Sequence, residues 1–411
     1  MNNFSLLRQV VTAISTLLAI VAAPENCAIS ATSPVVHAPS GTISGTMRDN
    51  VDLFYGIPFA YPPTTQTRWL PSTAIKALSK PLHATSEHAG CAAPASLDAP
   101  ELLNEDCLYL NIYRPAGEKT GSKLPVIVFF HGGGNQNGSP TIYDGRAFAA
   151  RTHAIVVMPT YRLGVFGFLA LNGFSSASAR PMGNAALSDM LSALNWVHTN
   201  IPAFGGDAST ITVVGESAGA ANLCDILITP SSKGLFSQMI LQSGFCSQRP
   251  SLKEMEAIGA ATARNAGCTE ATPLACLSQL PTKTLLNAWD KTWQQANIQL
   301  ADGTQIARPL FPATPIGSPL QPYSFKEAVR TGNFTPVPIL IGFNKDELRS
   351  FLSGYYPLSS RRYIEILKRN YPEYTAQLME EYPPQAGQDP TYTLAALRSD
   401  QMLICPALQT A

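Results

Sequence analysis

Residues 211–220 read ITVVGESAGA. A β-branched run, Ile211 to Val214, enters a glycine-serine-glycine turn, and small helix formers follow. A strand that enters G-x-S-x-G and leaves as a helix presents its serine on a tight, strained turn. The glycines permit that turn, and the helix beginning near Ala218 aims free N–H groups and a positive dipole end at the serine. Ser217 is therefore a candidate nucleophile. An ordinary glycine turn is the bland alternative, and the strand before it and helix after it weigh against that.

A second glycine cluster works with the first. HGGG (131–134) follows the apolar run LPVIVFF (124–130). Residues without side chains let backbone N–H groups approach a ligand oxygen, and each donor aimed at a developing oxyanion is typically worth about 3 kcal/mol. A phosphate cradle is the alternative. It lacks support, because the chain has neither the G-x-G-x-x-G fingerprint nor a P-loop lysine. IGFNKDE (341–347) ends a third apolar run, and a carboxylate there could orient an imidazolium.

Around these turns, apolar runs alternate with helical stretches. AIVVMPTYR (154–162), SQMILQSG (237–244) and PVPILIGFN (336–344) read as buried strands. Such near-continuous Val/Ile/Leu runs suit a parallel sheet covered on both faces. NAALSDMLSALNWVHTNI (184–201) has Leu187, Met190, Leu191, Leu194 and Val197 at helical spacing, with Asn184 as a possible cap. KEMEAIGAATARNAG (253–267) reads as a helix closed by Gly267. This alternation predicts an α/β fold with a mostly parallel sheet. Residues 35–75 read as short antiparallel strands and loops, with FYGIPFAYPP as a turn-rich segment. Residues 270–330, mixed and Pro-rich, read as an insertion packed over the sheet.

Composition bounds the function. The 411 residues carry no net charge, which argues against nucleic acid or an acidic membrane as the main partner. Charged residues make up 14%, well under the roughly 25% of an average domain, which suits an exported enzyme. Residues 1–30 read as a signal peptide: Arg8, then the apolar VVTAISTLLAIVAA, too short to span a membrane, then small residues. Export places the eight cysteines in an oxidising compartment. Cys91 and Cys107 are near enough to close a loop, as are Cys268 and Cys276. Cys27, Cys224, Cys246 and Cys405 have no evident partner, and no spacing fits a metal.

These blocks together resemble the type-B carboxylesterase and cholinesterase-like family of α/β-hydrolases. The resemblance rests on FYGIPFAYPP with Arg68-Trp69, EDCLYLNIY (105–113), HGGG with Asn137-Gly138-Ser139, and TYRLGVFGFL (160–169). It continues through GNAALSDMLSALNWVHTNIPAFGGD (183–207), VVGESAGA, ILQSG (240–244) and IGFNKDE. It spans nearly all of residues 40–411. It implies an α/β-hydrolase domain over 31–411 that hydrolyses small-molecule carboxylic esters without cofactor or metal; the signal-peptide reading adds a secreted or periplasmic setting. Ser217 resembles the nucleophile and Glu347 the triad acid. Gly133, Gly134 and Ala218 resemble the oxyanion-hole donors. Ser243, Glu216 and His131 resemble residues beside the triad. Cys91–Cys107 and Cys268–Cys276 resemble the family's two short disulfide loops. Arg68 with Glu105 and Arg162 with Asp189 resemble its ion pairs. Asn135 departs from the family's usual aromatic residue after HGGG, and Leu348 from its glycine after the acid.

One part of the chemistry is missing. The fold's chain order is Ser, then Asp/Glu, then His. All six histidines, His37, His83, His88, His131, His153 and His198, precede Ser217. His131 resembles a structural neighbour of the oxyanion loop. The last stretch, SDQMLICPALQTA, resembles a helix well before the family's histidine loop, and Cys405 a cysteine whose partner lies far downstream. The expectation is a chain incomplete at its C-terminus, a fragment or truncation, that is inactive alone. The alternative is a catalytically inactive, cholinesterase-like binding or adhesion module. Such modules typically lose the serine, which this chain keeps.

Overall fold

The apolar runs become neighbouring strands of one sheet. The computed structural model describes residues 33–411 apart from 97–99, 173–180, 247–248, 270–272, 296, 300–304, 308 and 310. The signal-peptide reading and Cys27 lie outside these. Eight described strands form the main sheet. They are β1 (Thr46–Arg48), β2 (Val51–Pro58), β3 (Tyr109–Pro115), β4 (Leu124–Phe130), β5 (Ile155–Pro159), β6 (Gly206–Glu216), β7 (Gln238–Gln242) and β8 (Ile339–Gly342). Their order is β8-β7-β6-β4-β5-β3-β2-β1. β8, β7, β6, β4 and β5 run parallel, and β3, β2 and β1 add on antiparallel.

Burial on both faces explains why the central strands are apolar throughout. Ile155 and Val157 of β5 enter the main core, while Val156 and Met158 join a second cluster with Val51, Leu53, Tyr113 and Ala149. Side chains alternate across a strand, so a strand serving two cores needs apolar residues at every position. Fully burying one such side chain stabilises by about 1.5–3 kcal/mol.

The helices follow the same logic. Helix α1 (Ala185–Asn200) buries all five residues picked out by its spacing. Asn184 sits at its N-cap position but makes no side-chain capping bond, contrary to expectation. Every residue of α2 (Ala218–Ile228) is buried, and it packs on β6 and β7. Helix α3 (Leu252–Asn265) starts with a capping box between Ser251 and Glu254. Helix α4 (Thr282–Trp293), in the Pro-rich stretch, packs on α3, and Thr262 bonds Thr292 at 3.2 Å. Pro34–Ala411 form one compact unit. The stretch read as turn-rich differs from expectation: Phe54–Pro58 continue β2, with the register irregular between Phe54 and Ile57. Gly56 there takes a φ of +67°, a conformation open to glycine. Among the described residues, no helix is long and apolar enough to cross a membrane.

At the end of the sheet, β8 pairs with β7 on one side, and no described strand pairs with its other side. Leu340 is 65% exposed there, and Ile339 and Phe343 are exposed beside it. An open apolar edge is a template for strand addition. Leu340→Lys should therefore lower light scattering of the purified chain on warming, with its unfolding temperature unchanged.

Candidate active site

Four parallel strands release the candidate residues at their carboxyl ends, where open α/β sheets bind ligands. β4 leads to His131–Gly134, β6 to Ser217, β7 to Ser243 and β8 to Glu347. Ser217 caps α2 with φ 52° and ψ −118°, a costly backbone conformation for a residue with a Cβ. Its N–H donates to Gln242 O at 2.8 Å, and its carbonyl accepts from Ala221 N at 3.0 Å. Ser243 repeats the device one strand over, with φ 52° and its N–H donating to Gly342 O at 2.8 Å.

Two glycines make the serine turn sterically possible. A Cβ on Gly215 would lie 2.5 Å from Ala220 N, and one on Gly219 would overlap Phe130 O. The helix start thus presses on β6 and on the end of β4 at once. The HGGG loop lies against the same turn: a Cβ on Gly132 would overlap Glu216 Oε2 and lie 3.0 Å from Ser217 Cβ. Gly133, at φ +101°, accepts from Gln136 N and Asn137 N at 3.1 Å each, which folds the loop back. Gly134, at φ +62°, faces Phe311. Ala218 is the first residue of α2, where N–H groups have no partner within the helix.

The carboxylates are neighbours. Burial, and then the negative field of Glu347, push the Glu216 carboxyl above its usual range. Glu347 Oε1 accepts from Asn344 N at 2.6 Å, and Asn344 Nδ2 reaches Ser243 Oγ at 3.5 Å. Leu348 N donates to Ser399 Oγ at 3.0 Å, anchoring the loop just beyond Glu347.

His131 is buried. Its Nδ1 donates to Gly132 O at 2.9 Å, its ring stacks on Tyr161 at 4.5 Å, and Tyr161 OH donates to His131 O at 2.7 Å. Burial pushes its pKa down from 6.5 to about 4. The neutral ring is thus the form that the folded state holds. Unfolding below pH 6.5 lets the ring take a proton that the folded chain refuses, so stability falls as pH drops from about 6.5 to about 4. In His131→Phe, the urea midpoint should fall less steeply with pH over that window.

The other histidines belong to other elements. His37 meets Thr42 Oγ1 at 3.1 Å and His83 meets Ser44 Oγ at 2.9 Å. His88 stacks on Tyr109, and His153, in the left-handed region at a helix end, lies 3.3 Å from Glu118. His198 lies in the last turn of α1.

The expected ion pairs form: Arg68 Nε–Glu105 Oε2 at 2.7 Å and Arg162 Nη2–Asp189 Oδ1 at 2.6 Å. Cys91–Cys107 and Cys268–Cys276 are bonded. A third disulfide, Cys224–Cys246, ties α2 to the segment after β7, a pairing the spacing did not reveal. Cys405 is an exposed free thiol. Sequence reasoning also missed Asn222, which exchanges side-chain hydrogen bonds with Asn135. The signal was there: an odd polar residue after HGGG, and an asparagine inside a mostly apolar helix.

The chain has known relatives. A sequence profile described as the carboxylesterase family matches residues 32–411. The chain is 32% identical to carboxylesterase 5A of Homo sapiens over 390 residues, covering 88% of this chain and 64% of that protein. It is 36% identical to the para-nitrobenzyl esterase of Bacillus subtilis (strain 168) over 324 residues, covering 77% of this chain and 63% of that one. The rabbit (Oryctolagus cuniculus) cocaine esterase is 32% identical, with 92% and 74% covered. A solved structure of a Geobacillus stearothermophilus carboxylesterase superposes with a TM-score of 0.76 at 31% identity, over 92% of this chain and 76% of that one. The chain thus spans 64% of the length of carboxylesterase 5A.

Proposed function

The chain belongs to the carboxylesterase family and has the α/β-hydrolase fold, and from that premise we propose that it carries the nucleophile, acid and oxyanion hole of a secreted or periplasmic serine esterase. Ser217 Oγ attacks the carbonyl carbon of a small-molecule ester. The N–H groups of Gly133, Gly134 and Ala218 hold the oxyanion. The seryl proton passes through a histidine, oriented by Glu347, to the departing alkoxide, which leaves as the alcohol. Water then attacks the acyl-enzyme, releasing the acid and restoring the Ser217 hydroxyl. None of these steps calls on a metal or cofactor. Three disulfides and the apolar run of residues 10–23 support the exported setting.

The observation that carries this reading is the backbone of Ser217. A φ of 52° in a non-glycine residue persists only where its surroundings impose it. Here β6, α2 and the HGGG loop all close on the same residue. His131 is a poor candidate for the base, because a ring with a pKa of about 4, already bonded through Nδ1, has little proton affinity at neutral pH. On this reading the base is none of the six histidines of residues 1–411.

Chemical rescue tests both parts. The chain is treated with a fluorophosphonate probe across a range of added imidazole, and the labelled residue is mapped by mass spectrometry. Labelling at Ser217 should rise with imidazole and vanish in Ser217→Ala. A Ser217 that stays unlabelled at every imidazole concentration would sink the esterase reading and favour a binding module.

A further inference from the structure

Asn135 is completely buried, and its side chain is fully engaged. Its Nδ2 donates to Asn222 Oδ1 at 3.0 Å and to Pro312 O at 2.8 Å, and its Oδ1 accepts from Asn222 Nδ2 at 2.7 Å. The orientation of the amide is fixed by chemistry: Pro312 O can only accept, so the NH2 group must face it. The backbone is held as well. Asn135 sits at φ 58°, which asparagine tolerates better than most residues, and its carbonyl accepts from Gly164 N at 2.7 Å. Three separate segments therefore grip one residue.

The position of those grips is what matters. Asn135 directly follows Gly134, and Asn222 lies on α2, five residues after Ser217 and four after Ala218. We propose that Asn135 and Asn222 form a positioning clamp, which sets the spacing between the HGGG loop and the helix that carries the nucleophile. The proposal rests on the esterase reading for the meaning of that spacing. Apolar side chains at these two sites would fill space but allow the loop to slide. A reciprocal pair of amides has one low-energy register. Its register fixes where the Gly133 and Gly134 donors stand relative to the Ala218 donor, and oxyanion donors act only within tight distance limits. Through Pro312 the clamp also keeps Phe311 facing Gly134, so it shapes the wall beside the donors.

The test compares the whole chain with Asn135→Gly, Asn222→Leu and the double variant. Glycine is chosen at 135 because leucine would be strained at that φ. Hydrogen exchange is followed in the peptide covering residues 131–137, together with the unfolding temperature. Each single variant should be less stable than the double, because it leaves the other buried amide with a lost partner, and the double variant should regain part of that loss. Exchange at 131–137 should be about tenfold faster than wild type, equally in all three variants, since either half of a clamp is useless alone. Exchange that merely tracks unfolding temperature, or does not change, would overturn the clamp. Imidazole-supported labelling of Ser217 links it to catalysis: the double variant should label about 100-fold more slowly than wild type. Equal labelling rates would remove the positioning role. A wild-type Ser217 that never labels would instead sink the esterase reading, and exchange would still decide the clamp.

Discussion

The 411-residue chain by itself is expected to hydrolyse p-nitrophenyl acetate about 10⁶-fold more slowly than a serine esterase whose base is in place. The magnitude comes from a serine protease of another fold, in which losing one member of the triad nearly abolishes turnover. On the esterase reading the cause is the seryl proton. Ser217 has a strained backbone, a helix N-terminus beside it and the HGGG loop packed against it. None of these removes its proton, and an alcohol attacks poorly while it keeps one. His131 lies one residue from the glycine packed on Ser217, yet its burial and its bond to Gly132 O make it a neutral structural ring. The assay compares the chain with Ser217→Ala and with the B. subtilis para-nitrobenzyl esterase under the same conditions. A Ser217-dependent rate within about 100-fold of that enzyme would contradict the expectation, since loss of one triad member costs far more.

Asp189→Ala is expected to cost about 3–5 kcal/mol of stability, the usual cost of stranding one partner of a buried ion pair. Both side chains are almost wholly buried. Asp189 receives Arg162 Nη2 at 2.6 Å, Arg162 Nε at 2.7 Å and the Arg162 backbone N–H at 3.1 Å. Arg162 also donates to Arg68 O at 3.2 Å and Ala185 O at 3.3 Å. The pair therefore holds the loop after β5 to α1, and that loop supplies the Gly164 N–H that binds Asn135 O. Urea unfolding of the variant should show a lower midpoint. Asp189→Asn, which keeps the shape and part of the hydrogen bonding, should lose less. The exposed Arg361–Glu365 pair is the control: Glu365→Ala should barely move the midpoint, because both side chains are well solvated. Equal losses at the two sites would show that burial is not what gives the Arg162–Asp189 pair its weight.

Legibility in the sequence differed from element to element. β5 could be read from AIVVMP because a strand covered on both faces needs apolar residues at every position. α1 could be read because its five spaced apolar residues all point into the core. FYGIPF was harder. Its glycine and proline speak for turns, while in the fold the same residues continue a strand whose register shifts at the glycine. Local chemistry favours the turn, and pairing with β3 overrides it. The Asn184 cap failed in a similar way, since a capping residue type does not guarantee a capping bond.

The sequence by itself determined the α/β class, the glycine turns at Ser217 and at HGGG, the candidate acid and the two short disulfide loops. Each is a local pattern, or a resemblance carried by adjacent residues. It also showed that the six histidines within residues 1–411 all precede Ser217, which is a matter of reading order alone. Only the tertiary structure decided the Cys224–Cys246 bond, the meeting of Glu216 with Glu347, the depressed basicity of His131 and the Asn135–Asn222 clamp. Each of these depends on which residues the fold packs together. Sequence separation carries no information about desolvation or about the partner a buried amide will find, and the packed core supplies both.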